Sequence, residues 1–105
     1  MPYKITPSSR FRNSFANILK YYVDILENPR IAKRVLNELE KELDVLRKYP
    51  ESGAIVESPR NFTEFPIRKT RLHHYKYKVF YSFDGEDITL LDILHDLQDF
   101  ERHLK

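Results

Sequence analysis

The feature that most constrains the fold is the pair Asp84-Gly85, which separates two strand-like runs at residues 68–81 and 88–95. An Asp-Gly pair between such runs is typical of a β-hairpin, because a type I′ turn needs a positive φ at both of its central residues. The pattern therefore predicts two antiparallel strands joined by a two-residue loop.

A two-residue loop fixes which residues of the hairpin face each other. Counting back from the loop sets Lys76 opposite Ile93 and His74 opposite His95. Side chains alternate between the two faces of a strand. One face therefore carries four basic or imidazole side chains: His74, Lys76, Lys78 and His95. The other face is largely apolar: Tyr75, Tyr77, Val79, Tyr81, Ile88, Leu90 and Leu94. Asp92 also falls on the apolar face, so either it pairs with a neighbouring cation or a bulge shifts the register by one residue.

Charge is distributed unevenly along the chain. The 105 residues have a formal net charge of only +2, but residues 60–81 contain six Lys and Arg and a single acid. Residues 84–105 contain seven Asp and Glu and two basic residues. A local basic patch of this kind suits contacts with phosphate groups, although an ordinary solvated surface gives the same pattern.

Composition disfavours several classes of protein. Cysteine is absent, so the chain has no disulfide and no thiolate nucleophile. The sequence has no Gly-rich phosphate loop and no convincing set of metal ligands, and we expect neither a cofactor nor a metal. No signal peptide or membrane-spanning run is evident, and we expect a cytoplasmic protein without membrane contact.

The first half of the chain predicts a helical hairpin. Apolar residues repeat at helical spacing over residues 8–27 and again over 30–48. Asn28-Pro29 stands between the two runs, and Asn is a good N-cap while Pro is favoured at the first helical position. Two amphipathic helices joined by so short a break are expected to pack as antiparallel neighbours.

The whole chain reads as one α+β domain over residues 1–105. Short strands are expected near residues 3–6 and 65–67, with a surface connection over 51–62 and a last helix beginning at Asp96. The predicted architecture is an antiparallel β-sheet with the N-terminal two-helix hairpin packed on one face, in the order β-α-α-β-β-β-α. The expected core draws on both layers: Phe15, Ile18, Tyr22, Leu39, Leu43, Val79 and Leu90.

Three stretches carry a resemblance that covers nearly the whole chain. They are Tyr49-Pro50-Glu51-x-Gly53, the strand Tyr-Lys-Tyr-Lys-Val-Phe-Tyr at 75–81, and Ile-Leu-His-x-x-Gln-Asp-Phe at 93–100. With the element order, they resemble the RelE/ParE superfamily of type II toxins. The final His-x-x-x-Asp is most similar to its plasmid-stabilisation, ParE-like branch. The resemblance implies a helical hairpin on an antiparallel sheet, a growth-inhibiting toxin and a cognate antitoxin that neutralises it.

The same resemblance implies two different activities. RelE-like members cleave mRNA on the ribosome with basic, His and Tyr residues of the sheet, whereas ParE-like members poison DNA gyrase. RNA cleavage needs proton-transfer groups and cations around the phosphate. The residues expected to carry catalysis are His95, Lys76 and Arg71, and those expected to bind the RNA are Arg68, Lys78 and His74. Ribosome-dependent mRNA cleavage, which makes the chain an endoribonuclease, is the first hypothesis; gyrase poisoning is the second. A decayed toxin fold that only binds its antitoxin is the third.

The candidate site residues also have structural interpretations. His95 either takes part in catalysis or caps the following helix, and Lys76 and Lys78 either bind phosphate or protect a sheet edge. Lysine stands at position 76 where many RelE-like members carry arginine. It cannot reproduce the bidentate contact of a guanidinium with phosphate.

The antitoxin is expected to be a largely disordered segment that folds on the toxin. Such a segment can cover apolar patches and the basic sheet face together. Acidic residues in it would complement the basic side chains and speed association. The apolar patches expected to meet it are the stripes of the two helices and the side chains of Phe62, Phe65 and Leu72.

Overall fold

The computed structural model describes residues 3–56 and 65–96. Within these ranges the elements follow the order β1-α1-α2-β2-β3-β4-β5. Helix α1 spans Ser9–Lys20 and continues into a five-residue π-helical turn, Tyr21–Ile25; helix α2 spans Pro29–Lys48. The strands are β1 Lys4–Pro7, β2 Ala54–Ile55, β3 Ile67–Arg71, β4 Tyr77–Phe83 and β5 Asp87–His95.

Both helices begin where the sequence predicts, and each has a side-chain cap. Ser8 Oγ accepts a hydrogen bond from the Phe11 N–H at 3.0 Å, and Asn28 Oδ1 accepts one from the Ile31 N–H at 3.4 Å. Pro29 occupies the first turn of α2, where its missing N–H leaves no intrahelical hydrogen bond unmade.

The first helix ends differently from the prediction. Its last turn widens, and the Leu26 N–H donates to the Tyr21 carbonyl at 3.1 Å. Glu27 then has a φ of 50°, in the left-handed region that residues other than glycine seldom occupy. A single π turn changes the helical spacing by only one residue, so the apolar pattern did not reveal it.

The sheet is mixed, with strand order β1-β5-β4-β3-β2. β1 runs parallel to β5, with Ile5 opposite Ile88, and the other neighbouring pairs are antiparallel. The prediction of a fully antiparallel sheet is therefore wrong. The sequence marks β1 as a strand but carries no local signal for its partner, because the two strands are about eighty residues apart.

The element order also differs from the prediction in the middle of the chain. β2 is two residues long and lies in the segment expected to be a surface connection, so one more strand is present than predicted. It pairs with β3 through Ala54 opposite Lys69 and Ile55 opposite Arg68. The helix predicted from Asp96 onward lies outside the described residues.

The β4–β5 hairpin forms, but with a longer loop than predicted. Asp84 Oδ1 accepts hydrogen bonds from the N–H groups of Glu86 at 2.9 Å and Asp87 at 2.7 Å. The Asp84 N–H also donates to the Asp87 carbonyl at 3.2 Å. The loop therefore closes beyond Glu86, and Phe83 faces Ile88. The predicted register is wrong for this reason.

A bulge shifts the register further. Tyr81 faces Leu90, but its neighbour Phe80 faces Asp92, so Leu91 is an extra residue on β5. A bulge was one of the two explanations open for Asp92, and it is the correct one. It turns Asp92 away from the helices, where it is 2% exposed and its carboxylate accepts from the Ile93 N–H at 2.8 Å.

The corrected register redistributes the side chains of the candidate site. His95 faces Tyr77 and lies on the face that the helices cover, whereas Lys78 lies on the opposite face. His74 and Lys76 precede β4 and belong to no strand. The prediction that His74, Lys76, Lys78 and His95 share one face is therefore wrong.

The main core lies between the helices and the sheet. Among the residues expected there, Leu39, Leu43, Val79 and Leu90 are buried. Phe15, Ile18 and Tyr22 are half-buried and pack against the edge of the same core. The buried cluster draws on both helices and all three central strands or their flanks: Phe11, Val35, Leu39, Leu43, Leu46, Leu72, Tyr77, Val79, Tyr81, Ile88, Leu90 and Ile93.

A smaller apolar cluster lies on the opposite face of the sheet. Ile67, Phe80 and Leu94 are buried there. Leu94 was expected on the helix-covered face, but the bulge exchanges it with Ile93. Neither helix in the described part of the chain has the length and apolarity needed to cross a bilayer.

Candidate functional site

Asp96, at the end of β5, contacts two of the three residues that the sequence predicts as catalytic and directly follows the third. Its carboxylate forms an ion pair with the Arg71 guanidinium, and its N–H donates to the Lys76 carbonyl at 2.9 Å. His95 directly precedes it in the chain. The four residues Arg71, Lys76, His95 and Asp96 form what we call the Asp96 cluster. The cluster exists because β3, β4 and β5 all have one end at this edge of the sheet.

His95 is half-buried against the ring of Tyr77. The two rings meet edge to face, with centroids 5.6 Å apart and planes at 89°. The Tyr77 and Tyr22 hydroxyls are 3.1 Å apart and share a hydrogen bond. Burial and that bond raise the pKa of Tyr77 far above its ordinary value of 10.0. A cleft of about 580 Å³ opens beside these rings towards α1. The residues that line it are Ser14, Asn17, Ile18, Tyr21, Tyr77, Ile93, Leu94 and His95.

The opposite face of the sheet carries basic side chains. Arg71 faces Lys78 across the β3–β4 ladder, and Lys69 faces Phe80. Arg71 and Lys69 are exposed, whereas Lys78 is half-buried. The expected basic face therefore exists in part, but His95 lies on the other side of the sheet.

Arg68 is used to hold the chain that follows α2. Its guanidinium donates to the Glu51 carbonyl at 3.0 Å and to the Gly53 carbonyl at 2.9 Å. The Glu51 carboxylate lies 3.6 Å away, and only 17% of the Arg68 side chain is exposed. These contacts tie β3 to residues 51–53 on the helix-covered side.

His74 lies in the loop between β3 and β4 and contacts α2. Its Nδ1 is 2.7 Å from Glu38 Oε1, and the side chains are 69% and 12% exposed, respectively. The hydrogen bond from His74 lowers the pKa of the Glu38 carboxyl. His73 packs edge-on against His74. Glu38 thus fixes this loop to the helix.

The six predicted site residues therefore lie in different surroundings. Arg68, Arg71 and His74 contact protein carbonyls or carboxylates, and His95 and Lys78 occupy opposite faces. Phosphodiester cleavage needs a base, an acid and cations that converge on one phosphate. Within residues 3–56 and 65–96, the predicted catalytic residues approach one another only around Asp96. In the same ranges, no cluster of three His, Asp or Glu side chains could hold a metal ion.

Sequence reasoning missed two parts of this region. Asp96 was noted only as a helix cap, and its pairing with Arg71 spans 25 positions of sequence. The contact of Tyr22 with Tyr77 joins residues 55 positions apart. Neither pairing leaves a local pattern in the sequence. The position of Tyr77 beside His95 follows only from the corrected register.

An apolar groove runs between α1, α2 and the β1–β5 edge of the sheet. It has a volume of about 380 Å³, and its rim carries Arg12, Glu40 and Arg47. Its walls are almost wholly apolar: Ile5, Pro7, Phe11, Phe15, Ala16, Leu19, Leu36, Leu39, Leu43 and Leu90. The sequence predicts both helical stripes that form this surface and counts them among the apolar patches that a partner could cover.

The apolar residues that were foreseen as partner contacts have different outcomes. Leu72 is 2% exposed and belongs to the main core, so it does not lie on an open patch. Phe65 is exposed. Phe62 lies outside the described residues.

Comparison with known proteins gives a consistent family. A family model described as the ParE toxin of the type II toxin-antitoxin system, parDE, matches residues 5–100. A chain of the chromosomal ParDE TA system from P. aeruginosa superposes with a TM-score of 0.70 and 17% identity, covering 89% of this chain and 95% of the other. A chain of the toxin-antitoxin complex RelBE2 from Mycobacterium tuberculosis superposes with a TM-score of 0.57 and 17% identity, covering 90% of this chain and 99% of the other. These two likenesses show the fold. No curated protein sequence matches the chain.

Proposed function

Because the chain belongs to the ParE toxin family of type II toxin-antitoxin systems, we propose that it halts growth by poisoning DNA gyrase. The ParE-like branch is the one for which the sequence resemblance implies this target. A gyrase poison needs a surface that binds the enzyme, and it needs no RNA-cleaving site of its own.

The observation that carries this choice is the dispersal of the predicted RNA-cleaving residues. His95 and Lys78 lie on opposite faces of the sheet. Arg68 is held by two backbone carbonyls, and His74 is held by Glu38. A phosphate that reached Lys78 would therefore meet neither imidazole, so the basic face supplies charge without a general base or acid.

Ribosome-dependent mRNA cleavage is the second candidate, and a specific observation favours it. The Asp96 cluster places Arg71, the backbone of Lys76 and His95 at one edge of the sheet, with the Arg71 and His95 side chains on opposite faces. An arginine, a lysine and an imidazole are the groups that bind a phosphate and transfer protons in RNA cleavage. In this candidate, Asp96 is the positioning residue that holds Arg71.

Induction of the chain without its antitoxin tests both targets in cells. The gyrase proposal predicts an early DNA-damage response and DNA breaks that depend on gyrase, while translation persists at first. New mRNA ends and an early loss of protein synthesis would overturn it in favour of RNA cleavage. Growth that continues unimpaired would overturn both and support a decayed toxin fold.

A triple variant, Arg71→Ala/Lys76→Ala/His95→Ala, separates the same candidates at the residue level. The gyrase proposal predicts that the folded variant stays toxic. If RNA cleavage is the activity, each of these changes should slow it by on the order of a hundredfold, because one preorganised stabilising group is lost. Circular dichroism of the purified variant provides the check on folding.

The antitoxin is proposed to occupy the apolar groove between the helices. An amphipathic helix from a disordered partner would bury its apolar face against Leu36 and its neighbours, and its acidic residues would meet Arg12 and Arg47 at the rim. Both structural relatives come from toxin-antitoxin systems, which supports a tight complex with a protein encoded beside the toxin.

Two matched variants test the groove. Leu36→Arg places a charge in it, while Val45→Arg places the same charge on an exposed part of α2 outside it. On co-expression with the adjacent reading frame, Leu36→Arg should lose the complex and the rescue of growth, and Val45→Arg should keep both. Equal retention by the two variants would contradict this site for the antitoxin.

A further inference from the structure

A second groove lies on the other side of α2, where the helix meets the loop between β3 and β4. We propose that this α2–loop groove binds the phosphate backbone of duplex DNA, an inference that rests on the proposed function because gyrase acts on DNA. Its volume is about 390 Å³. Six residues line it: Arg34, Asn37, Glu38, Lys41, His74 and Tyr75.

The groove presents mainly hydrogen-bond donors to an incoming ligand. Arg34 and Lys41 are exposed and lie seven positions apart on α2, with Asn37 between them. Seven residues of α-helix span about 10 Å, close to three base-pair steps of a duplex. Two cations at this spacing can contact separate phosphates of the backbone.

The acidic groups near the groove are already engaged. Glu38 contacts His74 at 2.7 Å and is largely covered. Glu42, one turn further along α2, accepts a hydrogen bond from the Thr70 hydroxyl. His73 packs edge-on against His74, which lines the groove. The groove therefore presents cationic side chains to an anion, and the carboxylates nearest to them already have hydrogen-bond partners.

The lining favours a duplex backbone over single-stranded nucleic acid. Proteins that hold single strands stack successive bases on exposed aromatic rings. Here Tyr75 is half-buried, and the two imidazoles meet each other edge to face. Contacts of Arg34 and Lys41 with phosphate would position the toxin on DNA without reading its sequence.

Direct binding to DNA in the absence of gyrase tests the inference. The full chain is titrated into a fluorescent duplex of about 20 base pairs over a series of salt concentrations, by anisotropy. Arg34→Ala/Lys41→Ala should bind at least about tenfold more weakly, and the slope of log affinity against log salt should fall by about 2. Lys20→Ala/Lys48→Ala removes two exposed helical cations outside the groove and should match the wild type.

The possible results separate this inference from the proposed function. Equally weakened DNA binding in both double variants would overturn the proposed DNA site and leave the gyrase proposal standing. The same holds if the wild type binds no DNA and still poisons gyrase. Groove-dependent DNA binding without gyrase poisoning would support the groove and overturn the proposed target. Groove-dependent binding of poly-glutamate with no binding of duplex DNA would overturn DNA as the ligand of the groove in favour of an acidic protein.

Discussion

Gly53 sits against the hydroxyl of Tyr81, which is fully buried. The Gly53 N–H donates to the Tyr81 oxygen at 2.9 Å. A Cβ on residue 53 would come within 2.5 Å of that oxygen and 2.8 Å of the Lys69 carbonyl. A backbone carbonyl in a strand cannot move away easily, so the site accepts only glycine. The Pro-x-x-Gly break that marks the family resemblance thus has a packing reason.

Two substitutions measure this contact. Gly53→Ala should lower the free energy of unfolding by about 2 to 3 kcal/mol, because the added methyl overpacks a closed site. Tyr81→Phe should lower it by about 1 to 2 kcal/mol, because it leaves a buried N–H without its acceptor. Urea unfolding gives both values. Unfolding of Gly53→Ala at the wild-type urea concentration would contradict the close approach.

The bond between Glu38 and His74 makes stability depend on pH. The pKa of the Glu38 carboxyl lies below its ordinary value of 4.5 because His74 donates to it. Its stabilising effect is therefore complete above that ordinary value and is lost as the pH falls through the lower, folded-state pKa. Glu38→Gln should unfold at less urea than the wild type near pH 6, and this gap should be smaller near pH 4, below the ordinary pKa of 4.5. A gap that is the same at both pH values would show that the carboxylate charge does not contribute.

At the level of elements, the sequence predicted what depends on local periodicity. Both helices were found because their apolar stripes repeat over several turns, and the cap at Asn28 is as expected. The hairpin was found because its turn residues are distinctive. Strand partners and register depend on contacts between distant residues. The parallel pairing of β1 with β5 was therefore missed.

The hairpin shows how one extra residue, Leu91, changed the placement of the site. The Asp-Gly pair was taken as a two-residue turn, but the Asp84 carboxylate binds two N–H groups beyond Gly85 and lengthens the loop. The longer loop shifts the pairing by two residues and keeps every side chain on its face, whereas the single extra residue at Leu91 moved His95 to the other face of the sheet. Four of the six candidate positions were judged by that register, so their surroundings could not be predicted correctly.

Substitution of Asp84 tests the loop. Asp84→Ala removes the acceptor of two N–H groups and should unfold at a lower urea concentration than the wild type. Asp84→Asn keeps a side-chain oxygen at the same position and should retain most of the wild-type stability. Urea titrations of the three proteins make the comparison. Equal losses of stability in Asp84→Asn and Asp84→Ala would mean that the carboxylate charge, rather than the acceptor geometry, holds the loop.

On the scale of the whole molecule, three surfaces are spatially distinct. The apolar groove lies between the helices and the β1–β5 edge, and the α2–loop groove lies where α2 meets the β3–β4 loop. The Asp96 cluster closes the end of the sheet. The proposed antitoxin site therefore lies on one side of α2, and the proposed DNA-binding side chains lie on the other. The two proposed ligands would share no contact residue on the helix.

The target of the toxin is the central claim, and purified gyrase tests it most directly. Gyrase, supercoiled plasmid and ATP are incubated with the full chain, and covalently held DNA breaks are measured after protein denaturation. The account predicts that breaks accumulate with toxin concentration, that Arg71→Ala/Lys76→Ala/His95→Ala produces them as well, and that the antitoxin abolishes them. Gyrase that completes its cycle undisturbed, while the same preparation cuts mRNA on ribosomes and the triple variant does not, would contradict it.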